Sequence, residues 1–146
     1  MTKAAYDTDF YAWTQAQAAA LRTKDWPALD LNHLAEEIDS LGIADEHAIT
    51  RHLQRLLRHL LKWRYQPTHR TSSWRRSIRQ ARDAIADRIE RSPSLREYPA
   101  RRVPLAYRRA RRDAAEETGL PLATFPETCP WGLDQVLDED FWLEEG

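Results

Sequence analysis

The run His33-Leu34-Ala35-Glu36-Glu37 places an imidazole and two carboxylates at i, i+3 and i+4, a spacing at which they become neighbours on a helix and could converge on a metal ion. A metal site inside a helical bundle, however, needs inward ligands from several helices. The apolar phase turns Leu34, Ile38 and Leu41 inward, leaves Glu37 on the flank of that stripe and carries His33 and Glu36 round toward water. A solvated helix face is the plainer reading. Glu37, partly withdrawn from water, then calls for a cation, and an arginine of the third helix is the expected partner.

Asp45, His52, His59 and Gln66 recur every seven residues and form one polar ridge if the helix carrying them is continuous. At roughly 1.5 Å per residue the two histidines stand about 10.5 Å apart along the axis, too far to share one ion. Half-buried imidazoles hydrogen-bonded to a carboxylate or to backbone are the expectation. An enzymatic reading takes the form of a hydrolytic or metal-assisted site using Glu36, Glu37 and His59, and it needs a nucleophile or pocket that the sequence does not display. Cys129 is the single cysteine, and no HExxH, Walker or G-x-S-x-G pattern accompanies it, so it reads as a packed, unreactive thiol. No catalytic residue, metal or cofactor is assigned.

The third group is an arginine block. Residues 51 to 112 hold nineteen Lys or Arg against four acids, whereas residues 1 to 50 hold three against nine and residues 113 to 146 hold ten acids and no Lys or Arg. Arg75, Arg79 and Arg82 share one face of the third helix, and Arg101, Arg102, Arg108, Arg109, Arg111 and Arg112 crowd the fourth, near Trp63 and Trp74 in sequence. Basic residues interleaved with aromatics can track a phosphate backbone. Against a nucleic-acid module stand the net charge of −1 and a pI near 6.5, because acidic flanks can neutralise the block from within. Pairing inside the chain or a solvated face is preferred, with a nucleic-acid surface as the alternative.

The elements that must position these groups are helices. Period-2 patterns and two-residue glycine turns are missing, and the chain of 146 residues suits one domain able to bury a core without disulfides. A first helix, about Asp7 to Leu21, aligns Phe10, Trp13, Ala20 and Leu21. Asp30 caps a second, which carries Leu31, Leu34, Ile38 and Leu41 and then Ile49, Leu53, Leu56 and Leu60 in nearly one phase, kinked or broken near Gly42 and reaching about Tyr65. Ser72 or Ser73 caps a third with Trp74, Ile78, Ala81, Ile85 and Ile89 on its stripe. A fourth is interrupted or kinked by Pro99 and Pro104, runs cleanly from near Val103, and stops at Gly119-Leu120-Pro121. Residues 121 to 146 are expected to form an extended Pro-rich strap with a short helical turn near Leu133 to Leu137, where Trp131 and Trp142 lie across the bundle or face a partner. No apolar run is long enough to span a membrane, no secretory signal is evident, and a cytoplasmic protein is expected.

Several strings taken together resemble the bacterial domain-of-unknown-function family 29. They are Asp9-Phe10-Tyr11-Ala12-Trp13, Leu34-Ala35-Glu36-Glu37-Ile38 after Leu29-Asp30, His59-Leu60-Leu61-Lys62-Trp63 before Gln66-Pro67, Ser73-Trp74-Arg75 with Ile78, Pro93-Ser94-Leu95, Tyr107, Glu117-Thr118-Gly119-Leu120-Pro121, and Phe125-Pro126 before Cys129-Pro130. The likeness covers nearly the whole chain, with Pro99 and Pro104 as departures. It implies an all-helical fold and no established activity. It also directs attention to Glu36, Glu37, His59, Lys62, Trp63, Gln66, Trp74 and Arg75 as a candidate cleft around the connector between the second and third helices. The expectation is an all-α bundle of four main helices acting as a non-enzymatic interaction protein, through a protein partner or a homodimer, since segregated charge can give a complementary surface.

Overall fold

The computed structural model describes residues 5–141, and among them every regular element is helical. The chain divides into two compact units, Met1–Ala44 and Asp45–Gly146. Among the described residues no helix is long and apolar enough to cross a membrane.

In the first unit, helix α1 (Phe10–Thr23) starts where the Asp9 side chain accepts from the Ala12 amide at 3.0 Å and ends at Lys24, whose left-handed φ of 59° closes the last turn. Its buried residues are Trp13, Gln17 and Ala20. Phe10 and Leu21, expected on that face, stay about half exposed. Gln17 takes their place: its amide donates to the Ala28 carbonyl at 3.2 Å and its oxygen accepts from the Asp30 amide at 2.7 Å, pinning the turn Trp26–Ala28.

Helix α2 (Leu31–Tyr65) passes through Gly42 without interruption, so the expected break is absent. A Cβ at Gly42 would meet nothing within 4 Å, which removes any packing reason for the glycine. The inward phase expected for its first turns fails. Leu34 is half-buried, but Ile38 and Leu41 are 66% and 71% exposed, and His33, expected in water, is half-buried.

The second unit holds the core. Leu53, Leu56, Leu57, Leu60 and Leu61 of α2 are fully buried with Ile78, Ala81 and Ile85 of α3 (Ser72–Arg91) and Ala106, Tyr107, Ala110 and Ala114 of α4 (Tyr98–Thr118). Thr71, not Ser72 or Ser73, caps α3, accepting from the Trp74 amide at 3.2 Å. Helix α4 begins at Tyr98, earlier than Val103. Pro99 falls in the first turn, where its missing N–H has no intrahelical partner to lose, and Pro104 is carried inside the helix. Gly119, at φ 74°, ends it as expected.

The C-terminal segment beyond Gly119 carries the expected short helix, α5 (Leu133–Leu137), but the part before it is not wholly extended, since a 3-10 turn occupies Leu122–Thr124; Phe125 and Val136 are fully buried. Side chains of the bundle hold its main chain: the Tyr107 hydroxyl donates to the Pro126 carbonyl at 2.6 Å, Arg111 to Phe125 at 3.1 Å, and Arg82 to Val136 at 2.8 Å and Phe141 at 2.9 Å. Trp131 packs against the core, and Trp142 lies outside the described residues.

Candidate functional site

The eight residues of the candidate cleft divide between the two units. Glu36 and Glu37 belong to Met1–Ala44; His59, Lys62, Trp63, Gln66, Trp74 and Arg75 belong to Asp45–Gly146.

In the first unit Glu36 is exposed, and Glu37 accepts from the Tyr6 hydroxyl instead of from an arginine of α3. That bond pushes the Tyr6 phenol up to about 12, with burial and the Glu36 and Asp7 charges adding to the shift. The Tyr6 ring stacks on His33 with centroids 3.9 Å apart and meets Trp13 edge-on at 4.9 Å. Asp30 ties the group together. Its carboxylate accepts from Trp13 Nε1 at 3.0 Å and pairs with His33 Nδ1 at 2.7 Å, which holds the Asp30 carboxyl below its usual range and raises His33. Asp30 is legible as a cap and His33 as a surface group, but the contacts of Asp30 with Trp13 and of His33 with Tyr6 span too many residues for periodicity to reveal. Tyr6, Trp13, Asp30, His33 and Glu37 each have a partner within the unit, so the arrangement locks the start of α2 onto α1.

In the second unit the aromatic and cationic groups do meet. Lys62 Nζ lies 4.7 Å from the centre of the Trp74 ring and 3.4 Å from Glu117, which also pairs with Arg58 at 3.2 Å. Trp63 has the guanidinium carbons of Arg70 and Arg75 each 5.0 Å from its ring centre, and Arg70 Nε donates to the Trp63 carbonyl at 2.9 Å. Gln66 donates to the Thr118 carbonyl at 3.4 Å, tying the end of α2 to the end of α4. Trp63, Arg70, Thr71, Ser72 and Arg75 line a groove of about 490 Å³. His59 is buried, its Nδ1 2.9 Å from the Arg55 carbonyl, and burial drives it down to about 4. The imidazole is therefore neutral at pH 7, and its ordered bond is to backbone. His52, also pushed down by burial and then by Arg88, repeats the pattern one heptad earlier.

The expected basic surface is only partly a surface. Arg79, Arg101, Arg108, Arg109 and Arg112 are exposed and Arg102 is half-buried, but Arg82 is buried and Arg111 half-buried, both turned to the carbonyls of the C-terminal segment. Internal pairing does occur. Asp45 takes Arg88 and Arg91, and Asp113 takes Arg112. Cys129 is half-buried, its thiol 3.4 Å from the Trp131 carbonyl and pushed up by burial. Among the described residues no group of three or more His, Cys, Asp and Glu side chains is placed to hold a metal ion.

No curated protein and no solved structure matches the chain. A family model does, over residues 5–142, and it spans both α1 with its Asp30 cluster and the Lys62–Trp74 and Trp63–Arg75 contacts. The chain belongs to the family described as Domain of unknown function DUF29.

Proposed function

We propose that this chain is a non-enzymatic interaction protein that receives an amphipathic helix of a protein partner, basic on its flanks, against the exposed apolar face of the first turns of α2. One observation carries the reading: Leu31, Ile38 and Leu41 are 68%, 66% and 71% exposed. With Leu34 they follow a 3-4-3 spacing, the seam that a second helix fills in a coiled coil. Contiguous apolar surface of this kind marks contact sites in water-exposed proteins. Charge selects the occupant. Residues 31–44 carry Glu36, Glu37 and Asp39 and no Lys or Arg, so two copies facing each other through this seam bring acid against acid, whereas Lys or Arg flanks complement it. The setting we assign to this activity is the cytoplasm, which suits a chain with one cysteine.

The test is fluorescence anisotropy with a labelled three-heptad peptide, Leu at its seam and Lys at its flanks. The expected result is saturable binding that weakens with salt and is lost in the double variant Ile38→Glu, Leu41→Glu, whose circular dichroism is unchanged because both side chains face water. Equal binding of a Glu-flanked peptide, or unchanged binding by the double variant, overturns the reading. So does light scattering that shows a dimer abolished by Ile38→Glu, which would make a second copy the occupant.

A further inference from the structure

We infer that the groove between α2 and α4 in the second unit binds a compact oxyanion of the phosphate or pyrophosphate class. This reaches beyond the docking face, since every residue it uses lies in Asp45–Gly146. His47, Thr50 and Arg51 of α2 and Arg102 and Arg109 of α4 line a cavity of about 340 Å³. Its floor is built. Thr50 is 5% exposed, its hydroxyl donates to the Glu46 carbonyl at 3.1 Å, and it accepts from Arg102 Nε at 3.3 Å. Arg102 lines the cavity, is held through Nε and has its guanidinium carbon 6.0 Å from the Tyr98 ring centre; its terminal nitrogens form the fork that recognises phosphate oxygens in pairs.

Among the described residues no carboxylate is paired with the guanidiniums of this cavity. Asp45 is taken by Arg88 and Arg91, Asp113 by Gln54 and Arg112, and Glu117 by Arg58 and Lys62; among the described residues no ion pair involves Arg51, Arg102 or Arg109. Three guanidiniums from two helices around one concave volume repel one another, and a multiply charged anion removes that repulsion. The same neighbours limit the ligand's length. Asp113 stands one turn beyond Arg109 and Glu117 one turn beyond that, so a polyanion laid along the groove would meet these carboxylates, while at the Arg102 end the carboxylate nearest in sequence is Glu46, one turn before Thr50.

Calorimetric titration of the full chain with pyrophosphate at low ionic strength tests this. Expected are saturable binding, weaker binding of inorganic phosphate, and a loss of about tenfold or more in Arg102→Gln and in Arg51→Gln, the latter an exposed residue whose change cannot unfold the bundle. Thr50→Val, which frees Arg102 from its support, weakens binding by a smaller factor, and Arg88→Gln, paired with Asp45 instead, leaves it unchanged. Absence of saturable binding overturns the proposal, as does an equal loss in Arg88→Gln, which would mark general attraction to a basic surface. Tighter binding of a short DNA duplex than of pyrophosphate also overturns it, in favour of a nucleic-acid surface.

Discussion

Helix α2 runs through both units, and its leucines meet opposite fates in them. In Asp45–Gly146, Leu53, Leu56, Leu57, Leu60 and Leu61 have no exposed surface; in Met1–Ala44, Leu31, Ile38 and Leu41 are two-thirds exposed or more. The period of the apolar residues is the same in both stretches. What differs is supply: α3 and α4 bring Ile78, Ile85, Ala106, Tyr107 and Ala110 to the second stretch, while α1 offers the first a short face of Trp13, Gln17 and Ala20. An amphipathic pattern reports which side of a helix is apolar and is silent on whether anything arrives to cover it.

The sharpest way to break this contrast is a pair of matched truncations. Leu57→Ala should cost about 4 kcal/mol by leaving a cavity among buried side chains, and Leu41→Ala no more than about 0.5 kcal/mol, both read from urea unfolding. Comparable losses would mean that Leu41 is covered in solution.

Next in size is acid sensitivity, where His59 and His33 should respond with opposite sign. His59 folds with its pKa near 4 against an ordinary 6.5, so below pH 6.5 the unfolded chain takes up a proton that the native chain refuses. Stability should fall between pH 6.5 and 4, by up to on the order of 3 kcal/mol, and this component should vanish in His59→Gln. His33 is raised by its bond to Asp30, so its contribution is complete below its ordinary value and disappears as pH climbs through the folded one. Urea midpoints across pH for His59→Gln and His33→Gln check both signs, and parallel profiles would dissolve the distinction.

The smallest effect concerns the glycine near the boundary. Gly42 is helical and exposed, with open space where an alanine methyl would sit, so Gly42→Ala should stabilise by roughly 0.5–1 kcal/mol, seen as a raised melting midpoint. A destabilised variant would show that α2 bends there in solution.

Much of the architecture is legible in the residues. Gly119 and the 3-4 repeats of α3 and the later part of α2 announce their elements because caps and periodicity are local. Three hydroxyl residues in a row, Thr71 to Ser73, blur the start of α3 by one position, and Pro99 hides the start of α4 because a first-turn proline resembles a helix breaker. The candidate cleft is legible in parts. The seven-residue ridge points to a sheltered His59, whereas Lys62 against Trp74 and Arg75 against Trp63 depend on how two helices are brought together, which no single stripe encodes. Gln17 and Arg82 are invisible for another reason: polar side chains are expected in water, and these are buried because unpaired main-chain groups need them.

Tyr107, Arg111 and Arg82 grip the C-terminal segment by carbonyl oxygens of Pro126, Phe125, Val136 and Phe141. Such a grip is blind to the identity of the amino acids it restrains, since every residue offers the same oxygen. The tail can therefore accumulate changes at its outward positions without slipping from its berth, while mutation of any one of the three clasps would loosen it whatever the tail's own letters.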